Sequence, residues 1–470
     1  MRRRTVPKAL SPAVRSTEGG PVSGLPLISR HGLDDVLAWR PSGPVTVRDF
    51  LADARAVAGV LPAGQGVLNL CEDRYHFAVL FAACVLAGRT SLQPASHSGE
   101  TLQRLAQDHP GAFGVVDGPF DVAGLPCIDF PDLAVVPRSP VQEMPVVDAD
   151  RVVAILFTSG STGLPQPHAK TWGRLVQNGQ AEADGLGLRD HPPVLVGTVP
   201  AQHSYGFEST FLLALHGGCS FWSGKPFYPQ DVVDALQAVP RPRMLVTTPY
   251  HLTALLASNL AWPALDICLS ATAPLGAELA AQAEQRGGAP VHEIYGSTES
   301  GQLACRRTTD GPVWHLLPGV VLEQENDTTY AREGHVEGRV PLSDIIELQG
   351  EGRFHLHGRH ADLINIAGKR SSLAYLNHQL CAIDGVQDGA FFLPDTAVDD
   401  AGGITRLTAF VVAPGVSVDT LQRALRQRID RVFLPRPLVL VDALPRNSTG
   451  KLPRTALLAL YQERLGHGRV

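Results

Sequence analysis

The stretch from 244 to 294 limits the fold more than any other part of this 470-residue chain. Residues 244–247 read as an apolar strand, and Thr248-Pro249 supplies an N-cap followed by proline at the first helical position. Residues 250–259 then read as helix, 266–270 as strand, 277–286 as an alanine-rich helix and 291–294 as strand again. That alternation predicts parallel neighbours joined by right-handed crossovers. In an open parallel sheet, ligands bind beyond the carboxyl ends of the strands. The turns there become the first candidates for chemistry: TSGSTG (158–163) after a strand at 152–157, ATAPLG (271–276), and YGSTESG (295–301). If their strands share one sheet, all three turns lie on one edge and converge on one ligand. A further strand, 194–199, ends at Pro200.

From about 334 the texture changes to short polar hairpins, with Glu351-Gly352 and His357-Gly358 as turn signals. A smaller unit follows Arg359, with a strand at 405–413, a helix at 418–432 whose apolar residues recur every three or four positions, and a strand at 438–441. Composition narrows the class of protein. A net charge of −6 gives no global positive field, so neither nucleic acid nor an anionic membrane is expected as a partner. Seven cysteines without a CxxC pair offer no zinc ribbon and read as buried thiols of a reducing, cytoplasmic compartment. The longest apolar run, 77–87, is too short to span a bilayer. Residues 1–16 carry five basic side chains but no apolar stretch, which reads as a solvated arm rather than a secretory signal.

Four sets of residues carry chemistry. In TSGSTG, Gly160 and Gly163 let the backbone turn sharply while Thr158, Ser159, Ser161 and Thr162 add hydroxyl donors, a pattern suited to an anion although no Walker A loop is present. In YGSTE, Thr298 can hold a phosphate oxygen and Glu299 a magnesium ion. Asp344 can take ribose hydroxyls and Arg359 ribose or phosphate. Lys451, in NSTGK, can place one positive charge on a transferring phosphoryl group. Each alone reads better as a solvated turn, an exposed ion pair or a solvated charge.

Their order and spacing from 157 to 454 resemble the adenylate-forming superfamily of acyl- and aryl-CoA synthetases, luciferases and adenylation domains. FTSGSTGLP (157–165) is similar to its phosphate loop, PAQHSYG (200–206) to its acyl-pocket segment, and SATAPL (270–275) to its adenine segment. YGSTES (295–300) resembles its threonine–glutamate motif, GRHADLINIAGKR (358–370) its hinge and LPRNSTGKLPR (444–454) its lysine loop.

The resemblance implies an α/β fold: a large body of parallel-rich sheets packed with helices plus a β-rich subdomain (1–360), then a small mobile α+β lid (361–470). It implies ATP and Mg²⁺ as cofactors and activation of a carboxylic acid as an acyl-adenylate. CoA, or the phosphopantetheine of an acyl carrier protein, would then supply the accepting thiol. Lys451, Thr298, Glu299 and His203 are the implied catalytic residues, with Glu299 on the metal. Thr158–Gly163, Thr272, Ala273, Pro274, Tyr295, Gly296, Asp344 and Arg359 would hold the nucleotide. His203, Tyr205, Gly206 and Phe207 would line the acyl pocket, and Ala361 and Asp362 would form the hinge.

Three positions depart from the pattern: Gln166 replaces the phosphate-loop lysine, Ala361 the usual hinge residue, and Asn365 a lysine before the thiol tunnel. Lys170 lies near the first of these and is a candidate replacement charge. The only acid near the acyl segment is Glu208, which argues against an amino-acid substrate. At a second level the chain is most similar to the short ligases of aryl-polyene and xanthomonadin-type pathways, which implies an aromatic acid. A fatty-acyl ligase and a non-catalytic nucleotide-binding protein are the alternatives.

Overall fold

The computed structural model describes residues 24–465 apart from 65, 95, 121, 123, 160–164, 327, 360–362, 367–368, 395–406 and 448–449. The 244–294 unit forms as its sequence dictates: strands Arg243–Thr247, Ile267–Ser270 and Val291–Ser297 are parallel neighbours, separated by helices Pro249–Ala257 and Ala277–Gly287. Thr248 caps the first helix through the His251 amide. The parallel array extends through Val194–Gly197 and Ser220–Trp222 to Val36–Arg40. Antiparallel strands complete both sides, giving an eleven-stranded sheet.

One expectation fails here. The strand that leads into TSGSTG, Val152–Ser159, belongs to a separate six-stranded sheet, where it is parallel to Thr90–Gln93 and antiparallel to Pro165–Thr171. The two strands that flank 160–164 are therefore antiparallel partners. The second of them carries two prolines, and it sits at the sheet edge, where a missing backbone donor is tolerated.

Between the sheets lies the main hydrophobic core, which includes the fully buried Phe77, Phe81, Trp172, Phe207 and Phe211. Arg74 is buried within it and bonds Thr210 Oγ1 and the carbonyls of Gly197 (3.0 Å) and Val199 (2.9 Å). That cation pins the carboxyl end of Val194–Gly197, where the PAQHSYG segment begins.

Residues 363–465 build clusters of their own on a three-stranded sheet, Asp388–Phe392, Thr408–Val412 and Leu438–Leu440. Alternation sets the two faces: Phe391, Ala409 and Val411 face one cluster, while Ala390, Phe392, Phe410 and Val412 face the other with Leu457. The predicted helix at 418–432 ends earlier, at Arg428. Ile429 turns to an extended conformation and Asp430 caps a short 3₁₀ turn, Arg431–Phe433. Ile429 and Phe433 nevertheless stay in the same cluster, which explains why the apolar spacing outlasts the helix.

Glu351-Gly352 forms the two-residue turn of the Asp344–Gly350/Arg353–Arg359 hairpin, both residues having positive φ (52° and 71°) as a type I′ turn requires. His357-Gly358, read as a second turn, lies inside the returning strand beside a register shift. Among the cysteines, Cys71, Cys84, Cys219, Cys268 and Cys305 are buried as expected, whereas Cys127 is half-buried and Cys381 exposed. No helix among the described residues is long and apolar enough to cross a membrane.

Candidate active site

The carboxyl edge of the eleven-stranded sheet gathers four segments. PAQHSYG follows Val194–Gly197, Thr248-Pro249-Tyr250 follows Arg243–Thr247, ATAPLG follows Ile267–Ser270, and STES closes Val291–Ser297.

In ATAPLG, Thr272 holds φ at +78°. For a β-branched residue that is a strained conformation, and such strain concentrates where a ligand must meet the backbone. The segment is held from behind by Glu293, whose Oε1 accepts from the Leu275 amide at 2.9 Å while Oε2 accepts from Arg306 Nε (2.8 Å) and Thr308 Oγ1 (2.9 Å). Ala273 and Pro274 lie at the partly exposed rim.

STES is the tip of a hairpin, because Val291–Ser297 turns back antiparallel onto Gly301–Arg307. A three-residue loop closes at Gly301, φ +73°, and Ser297 and Ser300 exchange hydrogen bonds of 3.0–3.2 Å across its base. Gly296 has no room for a side chain: a Cβ there would lie 2.3 Å from the Gly301 carbonyl oxygen. The loop presents Thr298 and Glu299, both partly exposed. Beside them Tyr295 packs edge-on against Trp314 and Phe354, and its hydroxyl donates to Asp344 Oδ2 at 2.9 Å. Asp344 is the register partner of Arg359, so backbone pairing alone sets the two expected ribose ligands opposite each other. The Arg359 side chain, the loop 160–164 and the hinge pair Ala361 and Asp362 lie outside the described residues.

His168, which sequence reasoning left without a role, and Lys170, the candidate replacement charge for the phosphate loop, both belong to this cluster. His168 Nε2 lies 3.0 Å from Thr158 Oγ1 and 3.7 Å from Glu299 Oε1, bridging the phosphate-loop strand and the glutamate loop. Burial lowers its pKa, with the Glu299 charge opposing. Lys170, two residues along the same strand, is buried and donates to the Glu299 carbonyl oxygen at 3.2 Å. Desolvation lowers its pKa, opposed by Glu208, Glu337 and Glu299. Its ammonium is thus spent on the back of the glutamate loop. Their period-two spacing was the available signal, but Glu299 is 129 positions away from Lys170.

On the acyl side, Gly206 must be glycine because a Cβ would lie 2.0 Å from the Pro200 carbonyl oxygen. Tyr205 donates to the Leu269 carbonyl at 3.0 Å, tying this segment to the adjacent parallel array. Burial lowers the His203 pKa to about 4, with the charge of Lys451 the next cause. Phe207, expected in the pocket, is instead fully buried against Phe77, Phe81 and Phe211 and belongs to the core. Glu208 is the second residue of the buried π-helical stretch Phe207–Leu212, and desolvation raises it to about 7.

Lys451 arrives from the far end of the chain. Its amide donates to Asn447 Oδ1 (2.9 Å), and its carbonyl accepts from the Asn447 amide (2.8 Å). Gly450, φ +74°, lies so close to the body that a Cβ would sit 2.9 Å from Tyr250 Cβ. Arg446 holds the loop from behind through the Gly450 carbonyl (2.8 Å) and a bidentate pair with Asp388 (2.7 Å twice). A second approach occurs at Gly276, where a Cβ would lie 3.8 Å from His378 Cε1.

Residues 29–329 match the AMP-binding enzyme family, and the chain belongs to it. It is therefore an adenylate-forming enzyme, of the acid–thiol ligase class. Among relatives, 4-coumarate–CoA ligase of Rhodobacter capsulatus is 29% identical over 305 residues, 63% of this chain and 74% of the relative. The 2-succinylbenzoate–CoA ligase of Bacillus subtilis is 22% identical over 465 residues, covering 88% and 92%. The fold matches ATP-bound MatB from Rhodopseudomonas palustris, with a TM-score of 0.77 at 21% identity over 92% of this chain and 96% of that one. It also matches AMP-bound O-succinylbenzoate coenzyme A synthetase from B. subtilis, with a TM-score of 0.76 at 19% identity over 92% and 98%.

Proposed function

We propose that this enzyme activates an aromatic carboxylic acid, such as a hydroxybenzoate or hydroxycinnamate, and transfers it to a thiol. In the first step a carboxylate oxygen attacks the α-phosphorus of ATP, and the bond to pyrophosphate breaks. In the second a thiolate attacks the acyl carbon, and AMP leaves with the electrons of the acyl–phosphate bond. The observation that carries this reading is the docking of Gly450 against Thr248 and Tyr250. It sets the lysine loop on the sheet edge that also bears ATAPLG and STES.

In this reading Lys451 and Thr298 neutralise charge developing on the α-phosphate. The Thr158–Gly163 loop holds pyrophosphate, Tyr295, Gly296 and the Thr272–Pro274 backbone hold adenine, and Asp344 and Arg359 hold ribose. The partly exposed Glu299 carboxylate, 43% accessible, offers the hard oxygen donor Mg²⁺ favours. That ion would add Lewis-acid charge to the phosphates. Lys170 fixes the loop carrying Glu299, and His168 aligns it with Thr158. His203 and Tyr205 bound the acyl site. A His203 kept neutral by burial leaves Lys451 as the cation facing the carboxylate. We further infer a body of residues 1–360 and a lid of 361–470 that turns about Ala361–Asp362 between steps, in the cytoplasm.

The aromatic preference is supported by relatives named for coumarate and succinylbenzoate. CoA and a carrier-protein phosphopantetheine remain the two candidate acceptors. Carboxylate-dependent ATP–pyrophosphate exchange over benzoates, cinnamates, fatty acids and amino acids tests the first step. The aryl acids are expected to give the highest rates; a fatty-acid preference sinks the substrate assignment, and no exchange sinks the reading. Thioester formation with CoA against a loaded carrier protein then separates the acceptors.

A further inference from the structure

The Asp344–Gly350/Arg353–Arg359 hairpin carries a second constellation that the adenylation chemistry does not use. Glu347 and His355 are register partners, and the register shift near His357 brings that ring to the same carboxylate. His357 Nε2 lies 2.9 Å from Glu347 Oε2, and His355 Nδ1 lies 3.9 Å from the same oxygen. One donor atom from each residue falls within 4.8 Å of the other two, and the two rings stand nearly perpendicular at 89°. This is the only such trio among the described residues.

We propose that Glu347, His355 and His357 form a binding site for a borderline transition-metal dication of the zinc class. Two imidazole nitrogens and one carboxylate are a donor set for Zn²⁺, Ni²⁺ or Cu²⁺ and a poor one for Mg²⁺ or Ca²⁺. A tetrahedral ion with bonds of ~2.0–2.1 Å keeps its ligand atoms roughly 3.3 Å apart. The observed 2.9 and 3.9 Å bracket that spacing and the third pair lies within 4.8 Å, so side-chain rotation without backbone movement would convert the present hydrogen-bonded arrangement into a coordination shell. All three side chains are accessible (57%, 30% and 50%), which gives the ion an entry path and leaves its fourth position to water. A β-ladder supplies the rigidity that three separate loop residues would lack. The Glu351-Gly352 turn and the flanking ladder fix both strands before any ion arrives.

The site lies three positions from Asp344 and two from Arg359, so an ion there cross-links the strands that carry the expected ribose ligands. Binding does not depend on the adenylation reading, since it is measured without ATP or acid.

The test is competition for Zn²⁺ between the full-length protein and a chromophoric chelator, repeated with Co²⁺ to read its visible d–d bands. The expected result is one tight zinc per chain. His357→Ala and Glu347→Gln should each weaken it at least ~10-fold, as losing one of three ligands implies. The double variant His355→Ala/His357→Ala should abolish it together with the cobalt bands, while the exposed His191→Ala leaves both unchanged. A hundredfold excess of Mg²⁺ should not displace the ion. Unchanged affinity in the double variant overturns the proposal, as does loss of the tight site on replacing the exposed Cys381 instead.

Discussion

The body and the C-terminal unit treat charge differently. Residues 24–359 enclose Arg74, Lys170, Glu182 and Glu208 among apolar side chains. In residues 363–465 the only described polar side chain that is buried is Thr408, and ion pairs such as Lys369–Asp430 and Arg446–Asp388 stay accessible. Buried ionisable groups are costly to disturb, so they fix the loops that they touch: Lys170 the glutamate loop, Arg74 the start of the acyl segment. The unit that delivers Lys451 does so with one ion pair and one left-handed glycine. A firmly fixed half and a more lightly held half suit the proposed turn of the lid between the two steps.

The strongest way to break this comparison is Lys451→Ala. Acyl-adenylate formation should fall by at least ~10²–10³, the cost of losing one transition-state donor, while thioester formation from supplied acyl-adenylate is much less affected. Equal loss in both half-reactions would falsify the assignment. Gly450→Ala should follow with roughly a tenfold loss confined to adenylation, because left-handed backbone costs about 1–2 kcal/mol outside glycine. Adding Tyr250→Gly, which removes the opposing Cβ, should recover the part due to the 2.9 Å contact. No recovery would mean that the contact is not formed during the first step.

Asp388→Asn loosens the same loop through Arg446 and should cost about fivefold in the first half-reaction, the equivalent of ~1 kcal/mol for a pair that water still reaches. The smallest effect belongs to the body. Burial raises Glu182 to about 8, so between the ordinary carboxylate pKa and 8 the folded state holds a proton that the unfolded chain releases. Stability from this group is therefore full at low pH and is lost as pH rises towards 8. His203, His251 and His335, lowered to about 4 by burial, act in the opposite direction: their contribution is full above about 6.5 and is lost as pH falls towards 4. Glu182→Gln should flatten the alkaline limb by about 2 °C in melting temperature and leave the acid limb alone. A variant that flattens the acid limb instead would contradict the assignment.

How much of this was legible depended on whether the signal was local. The strand–helix alternation of 244–294 and the turn at Glu351-Gly352 rest on neighbours in sequence, and both were readable. The strand Pro165–Thr171 was not, because prolines and a lysine hide it and only the sheet-edge position permits them. The role of His168 and the contact of Lys170 with Glu299 escaped for the same reason: their partner lies in the other sheet. Phe207 looked like a pocket residue from its place in the motif, yet three phenylalanines far along the chain or one turn away claim it for the core.

The stretch Phe207–Leu212 winds as a π-helix between the short α-helical pieces Ser204–Gly206 and Leu213–Gly217. Such a bulge behaves as one residue too many in an otherwise regular helix. Removing one residue there would re-phase what precedes it by about 100°, the angle between successive α-helical residues. Tyr205 and His203 would swing to a new bearing while the aromatic core behind them kept its register. If Tyr205 and His203 bound the acyl site as proposed, a single-residue deletion or insertion in this helix would re-aim both, at the cost of the Tyr205 bond to the Leu269 carbonyl.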